Sequence, residues 1–169
     1  MKWAMKKGVG ISRSASVWLI RTRIDKSPEF LLLEGDDIVA QAHAVGAKTV
    51  HVKGGDFVTT DGVDTVQLLM RHFKLSGTDP ALDLWAEIVR DAEGPVKVGA
   101  PSHPEAFGVY CLVQGYKALL TSDARRMEIL PLQFEALYEW CKKVIAGDIV
   151  PPRTSPHGAP RGATPRKSP

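Results

Sequence analysis

Two arginines, Arg13 and Arg21, stand eight positions apart in a stretch with helical spacing. At about 100° per residue this places them within roughly 80° of each other around a helix. Arg13 falls in the first turn, where unpaired N–H groups and the helix dipole also favour an anion. Guanidinium forks match the paired oxygens of a tetrahedral oxyanion or a carboxylate. The candidate ligand-binding residues are therefore Arg13 and Arg21, with Trp18 between them as a supporting wall. Trp18 reads more simply as core, flanked by Val17, Leu19 and Ile20. Arg21 also stands one turn before Asp25, a spacing that permits an ion pair, and Arg23 is expected at the surface.

A second group, Asp56, Asp61, Asp64, His51 and His72, is the one cluster with acid/base or metal character. Its weak catalytic candidates are Asp61, Asp64 and His72. Asp61-Gly62 reads more simply as a turn and Asp64 as a helix cap. His51 is expected on one strand face with Thr49 and Lys53, and no pair shows a metal-ligand spacing, so neither metal nor cofactor is predicted. His43 and His103 read as structural. No nucleophile elbow, phosphate loop or dinucleotide fingerprint occurs, and Gly8-Val9-Gly10 is too short for one. Ser16 lacks an evident His partner. Cys111 and Cys141 fall in predicted helices, expected buried, with no disulfide or redox spacing.

These side chains need elements to hold them. After a short lead, Ser12 or Ser14 caps a helix running to Ile24 and stopped by Pro28. Phe30–Leu33 is a brief apolar run, read as a buried strand. Gly35-Asp36-Asp37 opens a helix with Ile38, Val39, Ala42 and Val45 on one side, closed by Gly46. Lys48–Lys53 alternates as a strand with Val50 and Val52 inward, and Phe57–Thr60 is a candidate third strand. Asp64 caps a helix to Leu75, and Asp79-Pro80 starts another that ends at Gly94-Pro95. Ser102 with Glu105 forms a capping box for a helix through Leu119. Asp123 begins a stretch interrupted by Pro131, followed by an amphipathic helix over Leu132–Ile145. The class is α+β, a helix-dominated single domain of about six helices with two or three short strands.

The 169 residues carry 22 basic and 19 acidic side chains, a net charge of +3. Four of the basic and one of the acidic residues lie from Asp148 onward, which leaves 18 of each before it. The excess therefore belongs to the last segment, which also holds six of the twelve prolines. We assign residues 1–147 to one domain and residues 148–169 to a disordered basic Pro-rich tail. A body without net charge argues against a dedicated nucleic-acid binder, so any such contact is expected through the tail. No apolar run is long enough to span a bilayer and no signal peptide is evident, so a soluble cytoplasmic protein is expected.

The stretch Ile11–Arg21, followed by Ile24-Asp25 and Glu29-Phe30-Leu31, resembles the signature of the chromate-resistance protein B family. The likeness continues at Leu75, Asp79–Leu82, Glu87–Asp91 and Leu137–Cys141. The signature's Asp, Cys and Pro are replaced here by Ser12, Ser16 and Val17, and the segment from Gly55 to Val66 lacks the family's His and Cys. The resemblance implies a role in chromate resistance, and a chain without the upstream regulatory domain of longer members. Three functions follow as expectations. The first is an oxyanion-binding or stress-response accessory protein whose partner is a small anion, a chromate-like oxyanion or a carboxylate. The alternative is an enzyme acting on a small anionic metabolite through the same pocket. The third is a DNA-associated transcriptional regulator of a resistance operon, dependent on the tail.

Overall fold

A computed structural model describes residues 1–151. The expected tail falls, from residue 152 onward, outside the described residues. Three strands form one parallel sheet: β1 (Lys2–Lys6) in the centre, flanked by β2 (Glu29–Leu33) and β3 (Ala47–Thr49). Trp3 pairs with Phe30 on one side and Lys48 on the other. Six α-helices are described: α1 (Ile11–Leu19), α2 (Ile38–Ala44), α3 (Thr65–His72), α4 (Pro80–Glu93), α5 (Glu105–Leu119) and α6 (Asp123–Ala146). The α+β class and its helix dominance are as expected.

The sheet has two unequal faces. Ala4, Ala42 and Ala47 pack with Leu31 and Leu33 on the side of α2. Trp3, Met5 and Val50 enter the main core on the other side, together with α1, α3, α4 and α6. Helix α1 is almost wholly buried, from Ile11 through Leu19, save for Ser12 and Arg13. Those two polar side chains stand at its amino end.

Several expectations need correction. The lead before the first helix is β1, the central strand, with Trp3, Ala4 and Met5 fully buried. A strand covered on both faces shows no alternation, so periodicity cannot reveal it. Neither Ser12 nor Ser14 caps α1: Gly10 stands at the cap with no side-chain hydrogen bond. The helical run reaches Ile24 as expected, but its last stretch, Ile20–Ile24, is a π turn closed by the Asp25 amide donating to Ile20 O at 2.8 Å. Lys48–Lys53 is not a full strand, because His51 turns into the left-handed region at φ 57°. Phe57–Thr60 supplies only isolated bridges, from Phe57 to Val50 and from Thr60 to Val63. Ser102 forms no capping box; Pro104 precedes α5, and the Ser102 amide donates to the buried Asp91. Pro131 does not interrupt the last helix but lies buried within α6. Cys111 is exposed, whereas Cys141 is buried as expected.

Other signals hold. The Asp64 carboxylate accepts from the Gln67 amide, and Asp79 accepts from Ala81 and Leu82 with Pro80 opening α4. Both are N-caps of the expected kind.

Candidate functional site

The two crossovers of the sheet cover opposite faces. From β1 the chain goes through α1 to β2; from β2 it goes through α2, on the other face, to β3. The loops leaving the carboxyl ends of β1 and β3 both lead to the main-core face, to α1 and α3, and come together beside the start of α1. A cleft of about 390 Å³ lies there. Its wall takes Gly10–Arg13 from the start of α1, His51, Val58 and Thr59 from the loop after β3, Asp64 and Thr65 from α3, and Arg90, Glu93, Gly94 and Pro95 from the end of α4.

The start of α1 faces this cleft without a side-chain cap. The amides of Ile11, Ser12 and Arg13 have no acceptor within the helix, since its first internal bond is Ser14 to Gly10 at 3.0 Å. Those donors and the helix dipole present partial positive charge. The Arg13 guanidinium adds a full one, and one of its terminal nitrogens donates to Gly8 O at 2.8 Å. Gly8 and Val9 are tied in turn by their amides to the Asp123 carboxylate at 2.6 and 2.9 Å. The loop after β1 is thus clamped between Arg13 and α6. Burial lowers the Arg13 pKa from its ordinary value, while Glu93 and Asp123 oppose that.

His51 closes the floor. Its Nε2 lies 3.1 Å from Ser12 O and 2.8 Å from Ser16 Oγ. A carbonyl can only accept, so Nε2 carries the proton and donates. Ser16 does have a His partner, but that partner's nitrogen is no base towards it. Burial, then the Arg13 charge, pushes the His51 pKa down to about 3, so the ring is neutral at physiological pH. Asp64 caps α3 with one oxygen, and burial raises its pKa. Its Oδ2 and the Arg13 Nε are buried without a hydrogen-bond partner.

Of the residues singled out from sequence, Arg13, His51 and Asp64 meet in this cleft. Arg21 and Trp18 do not line it. Trp18 is core, packed against Trp85 at 4.5 Å between ring centroids with the planes tilted by 41°, its Nε1 donating to Glu135. Arg23, on the surface, lies 4.6 Å over the Tyr138 ring. Arg21 lies over Phe30 at 5.2 Å and donates to Met127 O at 3.1 Å, and no ion pair joins it to Asp25. Eight residues of helix also separate Arg13 and Arg21 by about 12 Å along the axis, too far for one small anion. Asp61 is an exposed turn residue at φ 51°, His72 is exposed and packs edge-on against Phe57, and Asp56 accepts from Thr49 at 2.6–2.8 Å. Among the described residues no three His, Cys, Asp or Glu side chains gather as a metal requires. Arg90 and Glu93 join the site unannounced. Their signal was available: two charged residues one turn apart at the end of a helix otherwise packed by Ile88, Val89 and Ala92.

The model of the ChrB C-terminal domain matches residues 3–141, and the chain belongs to that family, a chromate-resistance-related one. No curated protein and no solved structure matches it.

Proposed function

We propose that this protein binds a small oxyanion in the cleft at the carboxyl edge of its sheet, as an accessory to chromate resistance or a related stress response. The observation that carries the reading is the uncapped start of α1, placed with Arg13 at the cleft where the loops after β1 and β3 come together. Arg90, from the end of α4, takes the place that the sequence had suggested for Arg21. Trp18 contributes by fixing α1 from behind.

A thermal-shift screen with phosphate, sulfate, molybdate, chromate and small carboxylates tests it. An anion at 100 times its dissociation constant stabilises the native state by about 2.7 kcal/mol. For a domain of this size that raises Tm by roughly 5 °C. The shift is expected to disappear in Arg13→Ala and Arg90→Ala and to persist in Arg21→Ala. Shifts for no anion, or shifts equal in all three variants, would sink the reading.

The second reading, an enzyme on a small anionic metabolite, is favoured by one observation: Asp64, a carboxyl with a raised pKa, shares the cleft with Arg13. It requires turnover of the bound anion, which product analysis by NMR would detect. The regulator reading has no counterpart in the cleft and rests on the tail.

A further inference from the structure

An anion site normally excludes carboxylates, yet this cleft contains two. Glu93 is half exposed and lies 3.8 Å from Lys97, so it has solvent and a partner of its own. Asp64 has neither for its second oxygen. Oδ1 is committed to the Gln67 amide at 3.0 Å, while Oδ2 is shut off from water and accepts from nothing in the protein. Arg13 Nε is in the mirror situation, a buried donor with no acceptor. Two side chains that line the cleft therefore each carry, on a buried side, a group without a partner: a donor on Arg13 and an acceptor on Asp64.

A fully deprotonated oxyanion satisfies only one of these. It accepts from Arg13 and the amides of α1, but it brings a second negative charge to Asp64 with no hydrogen between them. An oxyanion that keeps a hydrogen satisfies both. Resting on the oxyanion reading of this cleft, we propose that the ligand is bound as a hydrogen-bearing oxyanion, its O–H donated to Asp64 Oδ2 and its other oxygens held by Arg13 and the start of α1. Both side chains line the cleft, and binding requires each to turn its free atom towards it. The selected class is the anions of weak acids that retain a proton near neutrality, such as hydrogen phosphate and hydrogen chromate. Sulfate, which has lost both protons there, is rejected. The titratable and charged groups around Asp64 are Arg13 from α1, His51 from the loop after β3, and Arg90 and Glu93 from α4. The raised pKa of Asp64 is consistent with a proton shared between it and the anion.

Titration calorimetry on the full chain with inorganic phosphate and with sulfate tests this, in wild type and Asp64→Asn. Asparagine is as good an N-cap as aspartate, so α3 keeps its start. Wild type is expected to bind phosphate about 100-fold more tightly than sulfate, since a carboxylate without its hydrogen repels the latter. In Asp64→Asn the amide can donate, so sulfate is expected to gain and the ratio to fall towards one. The wild-type ratio stands as a test even if the variant does not fold. Equal binding of both anions to wild type would overturn the inference and leave the oxyanion site standing. Binding of neither anion, to wild type or to the variant, would overturn the inference, and a thermal-shift panel flat for every anion would overturn the oxyanion reading with it.

Discussion

His51 is held in place by a conformation that its residue type does not favour. Its φ of 57° belongs to the left-handed region, a cost usually found where the surroundings over-determine a residue. Here the hydrogen bonds of Nε2 to Ser12 and Ser16 supply that determination, and they join the loop after β3 to the first turns of α1. The ring is neutral when folded, with a pKa of about 3 against an ordinary 6.5. On acidification the unfolded chain takes up this proton first. The contribution of His51 is thus fully present above pH 6.5 and is lost as pH falls from there towards about 3. The expected slope is up to about 1.4 kcal/mol per pH unit in that window. Urea unfolding from pH 7 to 4 in wild type and His51→Gln checks it. The variant should start less stable and decline less steeply, and parallel curves would show that His51 is not the group responsible. The sequence could not show this pairing, because Ser12, Ser16 and His51 are brought together only by the parallel contact of β3 with β1.

Helix α6 continues through Pro131 because another element repairs the damage. Proline has no N–H to give the carbonyl four residues back, and its ring crowds that carbonyl. The carbonyl in question is Met127 O, and the Arg21 guanidinium donates to it at 3.1 Å. The π turn from Ile20 to Ile24 is where α1 offers that side chain to α6. Arg21→Ala is therefore expected to destabilise by about 1–2 kcal/mol, the loss of a charge-assisted bond to an otherwise unmatched carbonyl. In a Pro131→Ala background the new amide can serve Met127 itself, and the cost of Arg21→Ala should drop. A double-mutant cycle read by denaturant unfolding measures the difference, and additive effects would refute the coupling. Sequence order explains what was and was not legible at this scale. Asp64 before α3 and Asp79-Pro80 before α4 are local signals, complete within four residues, and they hold. Strand β1 depends on partners 27 and 45 residues away, Glu29 and Ala47 opposite Lys2, and so escapes a local reading. Rotation around α1 put Arg13 and Arg21 on neighbouring sides, but distance along the axis and the π turn sent them to different partners. Of Arg13, Arg21 and Trp18, Arg13 alone lines the cleft for that reason.

The molecule as a whole divides its charge unevenly, and this bears on the regulator reading. Residues 1–147 balance 18 basic against 18 acidic side chains, and the net +3 resides beyond them. Within the described part many of those charges are spent on one another or on the backbone. Arg126 holds Asp123 and the end of α5, while Arg90 and His103 hold Asp91. Arg21 and Arg23 lie over aromatic rings. Affinity for a phosphate backbone depends on how many phosphates are neutralised together, and it falls steeply with salt. A body with no net charge offers a single small anion the local field of one cleft, while its balanced charge gives no ground for expecting an extended basic face for a duplex. The cleft is built entirely from residues 10–95, so the two activities can be separated by truncation. A chain ending at Gly147 is expected to keep the anion-dependent thermal shift of the full chain. Any retention of duplex DNA shown by the full chain at low salt should be absent from the truncated one in an electrophoretic assay. Salt-sensitive DNA binding by residues 1–147 alone would mean that the folded body presents a basic surface despite its balanced charge, and would move the regulator reading ahead of the oxyanion one.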